Sequence, residues 1–150
     1  KFYNNAYKDI KKNYIDTGKV KLVFRDLPLD FHPGAMPAAL AVNCAREQGG
    51  DTMYFKMHDN LFENQSTIFA DTTKIDATLK QVAVQVGLDS TKFASCYDSK
   101  KFKDEVEKDL SDAASVGING TPAFIINGQY LSGARPFESF KTIIDQELAK

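Results

Sequence analysis

The sequence predicts an α/β fold in which a block of helices interrupts a small unit of strands and helices. Three observations carry that expectation. Amphipathic helical periodicity opens and closes the chain, at residues 2–14 and 137–148. Short apolar runs of strand character stand at 20–24 and 123–126. Between Pro33 and Val116 the texture is helical throughout.

Taken in order, Phe2, Ala6, Ile10 and Tyr14 recur every fourth residue, with Tyr3 and Tyr7 beside them, and Thr17-Gly18 stops that helix. In KVKLVFRDLPL, Val20, Leu22 and Phe24 alternate with Lys21, Val23 and Arg25, which reads as a strand closed by Pro28. PAALAVNCAREQ is alanine-rich and halts at Gly49-Gly50; DTMYFKMHDNLFEN is a second helix with Tyr54, Met57, His58, Leu61 and Phe62 on one face. Ile75, Leu79, Val82, Ala83 and Val86 keep the 3.6-residue period until Gly87. Asp89 caps a short helix through Phe93 and Cys96. A further helix over about 100–115 turns Phe102, Val106, Leu110 and Ala113 inward. Then AFII, the Asn127-Gly128 turn and QYL form a hairpin, and Pro136 opens a last helix with Phe137, Phe140, Ile144 and Leu148 inward. The near-continuous apolar run AFII predicts a strand buried on both faces. A sheet of only three short strands then lacks a neighbour, and one is expected ahead of Lys1.

The 150 residues, 43% hydrophobic and 11% aromatic, suffice for one domain with an inserted subdomain. Nineteen basic and twenty acidic side chains give a formal charge of −1, with no basic stripe, which argues against a nucleic-acid partner. No apolar run approaches the roughly 20 residues that span a bilayer. The chain starts at Lys1 with no initiator Met, as a processed or truncated product does.

Two cysteines, Cys44 and Cys96, stand alone rather than in a C-x-x-C pair, and with two histidines they form no zinc-ligand spacing, so no metal or other cofactor is expected. They read either as inert core residues or as one structural disulfide. His32 reads as a turn residue and His58 as a packed one, although each could serve in acid–base chemistry. Asn64-Gln65-Ser66 and Asn119-Gly120-Thr121 match a glycosylation acceptor pattern by coincidence. Lys100, Lys101 and Lys103 lie on a solvated face balanced by nearby acids.

Thr121-Pro122 stands where the chain enters the AFII strand. Proline cannot donate to a ladder, so a strand tolerates it at the first position; it is either simple punctuation or a residue whose backbone is needed. The stretches FRDLPL, AALAVNCAREQGG, HDNLFENQ, GLDSTKFASCYDS and GTPAFIING-x-x-x-SGARP, in this order along almost all of the chain, resemble the DsbA-like thiol-disulfide oxidoreductases of the thioredoxin superfamily. The resemblance implies a thioredoxin-like fold over 1–32 and 117–150, with an inserted helical subdomain over 33–116. It implies a cis bond at Pro122, with Thr121 and Pro122 forming the loop that holds an extended substrate chain. It implies a disulfide between Cys44 and Cys96, which would close a loop worth roughly 4 kcal/mol.

One departure is severe. In that group the redox C-x-x-C opens the first helix, which is where this chain begins, so the pair is expected just before Lys1 and no catalytic residue lies within the sequence. The resemblance then implies an enzyme acting on unfolded or cysteine-containing polypeptides, with a redox partner protein, in the periplasm or another extracytoplasmic space, or secreted. Two alternatives keep the architecture without that chemistry: a redox-inactive binding or holdase module, and a glutathione-dependent enzyme like the kappa transferases.

Overall fold

The four-residue spacing of Phe2, Ala6, Ile10 and Tyr14 is wider than the 3.6 residues of an α-helical turn, and the first helix widens to match it. In the computed structural model, which describes residues 1–150, α1 (residues 3–15) is π-helical over Tyr3–Tyr7 and Lys11–Ile15, with α-helical Lys8–Ile10 between. The Tyr7 N–H donates to the Phe2 carbonyl at 3.1 Å and the Asp16 N–H to the Lys11 carbonyl at 2.8 Å, each a five-residue reach. That geometry keeps a four-residue repeat on one face. Ala6, Ile10 and Tyr14 are accordingly buried, in one cluster with Phe140 and Ile144 of α7 (Phe137–Leu148).

The chain divides into two units, residues 1–25 with 117–150, and residues 26–116. In the first, β1 (Ala123–Ile126) and β2 (Gln129–Ser132) pair antiparallel, with Ile126 opposite Gln129. Asn127 and Gly128 between them both take positive φ, 46° and 89°, as a two-residue hairpin turn requires. Phe124, Ile126 and Leu131 pack against the cluster of α1 and α7.

Four expectations change here. The sheet has two strands rather than three. Residues 19–29 lie outside any helix or ladder, because alternation makes a strand only where a neighbour supplies hydrogen bonds; Val20 packs on the cluster while Val23 is exposed. β1 is not buried on both faces: Ile125 is 58% exposed, because only the Phe124 and Ile126 side meets the helices. At the end of α7, Leu148 is 49% exposed rather than inward, since it lies on the last helical residue beyond the packed turn of Ile144.

The second unit holds α2 (Ala35–Glu63), α3 (Gln65–Ile68), α4 (Ile75–Gln85), α5 (Ser90–Asp98) and α6 (Lys103–Ser115). The backbone leaves helical geometry at Gly49-Gly50, where Gly50 takes φ 62°, so α2 is two helical segments joined at the glycine pair. Gly34 ahead of α2 lies against Phe69: a Cβ there would sit 2.4 Å from the ring. Met57, Leu79, Phe93 and Val106 are each less than 2% exposed, and full burial of such a side chain contributes roughly 1.5–3 kcal/mol.

That core also carries charge. The second unit begins at Asp26, ahead of the boundary expected at Pro33, because Asp26 is tied into it. Its backbone N–H donates to Asp109 Oδ2 of α6 at 3.0 Å, and Asn43 Nδ2 of α2 donates to Asp26 Oδ2 at 2.8 Å. Asn43 Nδ2 also donates to the Ala39 carbonyl at 2.9 Å. Burial pushes the Asp26 carboxyl up from 3.8 to about 6, opposed by the Asn43 hydrogen bond and reinforced by the charge of Asp109.

A folded-state pKa above the unfolded one means that the folded protein binds the proton more tightly. The Asp26 contribution is therefore complete below pH 3.8 and is lost as pH rises through about 6. Asp26→Asn should flatten the pH dependence of unfolding across that window and raise stability at neutral pH by up to about 3 kcal/mol. Denaturant unfolding followed at several pH values checks this, and parallel profiles for the two proteins would refute it.

Candidate functional site

The loop that leads into β1 is fixed at its strand end and open at the other. The Gly133 N–H donates to the Pro122 carbonyl at 2.8 Å, carrying the hairpin ladder one step past the pair Ala123 and Ser132. Thr121 is the first residue beyond that step. It is exposed, and its backbone N–H and carbonyl make no hydrogen bond within the chain. The Thr121–Pro122 peptide is cis. Within residues 1–150, β1 pairs with β2 alone. An extended chain can pair with exposed backbone groups such as those of Thr121 through main-chain hydrogen bonds.

The hairpin that carries this loop is held from one side. Phe124 lies 4.6 Å from the ring of Phe2 and 4.8 Å from that of Phe140, the latter edge to face at 88°. At the turn, Glu147 of α7 accepts from Gln129 Nε2 at 2.7 Å and from Asn127 Nδ2 at 3.5 Å. The Lys150 ammonium, then the Gln129 amide, hold the Glu147 carboxyl below its ordinary range. Across α1 and α7, Tyr14 donates its hydroxyl to Asp145 Oδ1 at 2.7 Å. Burial, then that hydrogen bond, pushes the Tyr14 phenol up, so it stays protonated as the donor.

Cys44 and Cys96 are bonded to each other, joining α2 to α5 across a sequence separation of 52. Both are buried in the second unit's core. The join is reinforced at a neighbouring position: the Asp89 N–H donates to Gln48 Oε1 at 2.9 Å, Gln48 Nε2 donates to the Asp89 carbonyl at 3.2 Å, and the Asp89 side chain caps α5 by accepting from the Lys92 N–H at 2.8 Å. Neither sulfur is available as a nucleophile, and the chain has no other cysteine.

The remaining candidates are dispersed. His32 is exposed in a turn closed by its N–H to the Leu29 carbonyl at 2.9 Å, its ring 4.5 Å from that of Phe31. His58 is buried on α2 among Tyr54, Phe55 and Phe62, with Nδ1 3.1 Å from Asp59. Lys103 pairs with Glu107 at 3.3 Å, and Lys101 pairs with Glu47. No group of three or more His, Cys, Asp or Glu side chains is placed to hold a metal ion, and no helix is long and apolar enough to cross a membrane. No pattern in the sequence announces the ring contacts of Phe124 or the hydrogen bond from Gly133 to Pro122. Nothing in the SGARP stretch marks its glycine as a ladder partner.

A family model described as "Thioredoxin" matches residues 1–146. Probable disulfide bond formation protein D of Bacillus cereus is 31% identical over 143 residues, covering 94% of this chain and 64% of that protein. A Na(+)/H(+) antiporter NhaA 3 of Salinispora tropica is 29% identical over 136 residues, which is 90% of this chain and only 20% of the antiporter. Among solved structures, oxidised BdbD from Bacillus subtilis superposes with a TM-score of 0.84 at 26% identity, covering 99% of this chain and 80% of that one. The chain thus spans less than two thirds of the length of these sequence relatives.

The buried disulfide generates its own test. Replacing Cys44 and Cys96 together by alanine should lower unfolding stability by roughly 4 kcal/mol, the loop-closure value for this separation. Calorimetry or denaturant unfolding measures it, and a loss within error of zero would show that the bond does not hold α2 to α5.

Proposed function

Because this chain belongs to the thioredoxin family, we propose that it carries the substrate-holding side of a DsbA-like thiol-disulfide oxidoreductase. The observation that carries this reading is Thr121, whose backbone is exposed and unbonded beside the cis Thr121–Pro122 peptide at the entrance to β1. An unfolded polypeptide lies along Thr121 and Pro122 as an added strand, which brings its cysteines to a fixed place. The redox C-x-x-C is contributed from ahead of Lys1, since both cysteines of this sequence are spent in the buried bond.

The chemistry is disulfide exchange. A substrate thiolate attacks one sulfur of the C-x-x-C disulfide and expels the other as a thiolate, giving a mixed disulfide. A second substrate thiolate then attacks the substrate sulfur of that bond, which leaves an oxidised substrate and a reduced dithiol. A redox partner protein reoxidises the dithiol. A dithiol at the amino end of α1 is favoured as thiolate by the helix dipole. The Cys44–Cys96 bond is of the kind kept in oxidising compartments, which supports action outside the cytoplasm.

A redox-inactive binding module uses the same loop, and one pair of measurements separates the two. Residues 1–150 alone should bind an extended cysteine-containing peptide, with slowed hydrogen exchange at the Thr121 amide, yet leave its thiols reduced. The same chain extended upstream through C-x-x-C should oxidise them. Oxidation by residues 1–150 alone, or unchanged exchange at Thr121, would defeat the reading.

A further inference from the structure

The sequence contains two Asn-Gly pairs, Asn119-Gly120 and Asn127-Gly128, and the fold treats them differently. In such a pair the backbone nitrogen of the glycine can attack the side-chain amide carbon of the asparagine. A C–N bond forms, ammonia leaves, and a five-membered succinimide closes. Water then opens either ring carbonyl, giving aspartate or isoaspartate. The net change is amide plus water to carboxylate plus ammonia. Glycine permits this best because no Cβ crowds the approach and its backbone is free to turn.

Asn127 is held against that motion. It sits at φ 46° in a two-residue turn whose ends are paired through Ile126 and Gln129. Its own Nδ2 and Gln129 Nε2 both donate to the Glu147 carboxylate, at 3.5 and 2.7 Å. Asn119 has none of these restraints. It is exposed, outside any helix or ladder, and no hydrogen bond holds its side chain. A Cβ built on Gly120 would meet nothing within 4 Å, so the space around the attacking nitrogen is open.

We propose that Asn119 is a self-modification site, converted with Gly120 to aspartate or isoaspartate while the protein stays folded. The product places a carboxylate two residues ahead of Thr121, and in the iso form routes the main chain through an additional carbon. Resting on the docking role of Thr121 and Pro122, the conversion weakens peptide docking as the molecule ages.

The test incubates folded protein in mildly alkaline water enriched in oxygen-18 and maps the tryptic peptide beginning at Asp109, which holds both pairs. Labelled acid should accumulate at Asn119 at least about tenfold faster than at Asn127, the factor that about 1.4 kcal/mol of local opening imposes on the turn. A synthetic peptide of residues 109–135 should convert at both sites at similar rates. Gly120→Ala should suppress conversion at Asn119 with no change in melting temperature. Conversion at Asn127 as fast as at Asn119, or none at Asn119 while the free peptide converts, would overturn the site. Asn119→Asp should bind the cysteine-containing peptide several-fold more weakly than the parent. Equal affinity would overturn the effect on docking and leave the modification standing, and no peptide binding by either protein would count against the docking role alone.

Discussion

Three phenylalanine rings hold the first unit together. Phe2, Phe124 and Phe140 come from the amino end of α1, from β1 and from α7, and their centroids lie 4.6, 4.8 and 5.3 Å apart. A two-stranded hairpin is marginal in water by itself, so the four-residue ladder of β1 and β2 does not explain its own persistence. Each aromatic pair contributes about 0.5–1.5 kcal/mol beyond the area it buries, and Phe124 takes part in two of them. The hairpin is therefore positioned by one face, chiefly through Phe124, with Leu131 on the same cluster and Gln129 bonded to Glu147. The Thr121 loop inherits that position through the hydrogen bond from Gly133 to Pro122.

The second unit relies on a different economy of contacts. Its apolar core is large, and the disulfide ties two of its helices covalently close to the point where Gln48 and Asp89 bond them again. A core of that size tolerates a buried carboxylate. Asp26 is kept there by a donor on each side of the exchange: its own N–H satisfies Asp109, and Asn43 satisfies one of its oxygens. Arg46 lies near enough to lower the Asp26 pKa, but it is paired with Glu105, so its charge is shared. No full counter-charge reaches Asp26, which is why burial dominates its titration.

Legibility in the sequence followed the range of the interactions involved. The helices were readable because their causes are local: the repeat from Ile75 to Val86, the Asp89 cap, the glycine pair at 49 and 50. The π-helical stretches of α1 were not readable, since apolar residues four apart are also what an ordinary amphipathic α-helix shows. Val20, Leu22 and Phe24 have strand alternation but form no ladder within residues 1–150, because a strand exists only with a neighbour and the one expected lies ahead of Lys1. The Asp26 network was invisible for a similar reason, since its partner Asp109 is 83 positions away and neither residue carries a motif. For the candidate site, a proline at a strand entrance was readable, but its role entered through family resemblance. The free backbone of Thr121 could be seen only once the ladder had been traced.

Proline sets where the hairpin stops. It has no N–H to give, so the ladder with β2 closes on the Pro122 carbonyl, which accepts from the Gly133 N–H, and goes no further. Thr121 falls just past that end, exposed and with its backbone groups unbonded. Its position is nonetheless fixed, because the strand that follows is pinned through Phe124 to the rings of Phe2 and Phe140. A hold through the backbone of one well-placed residue does not depend on the side chains of whatever is held, which fits the proposed docking of many different unfolded chains.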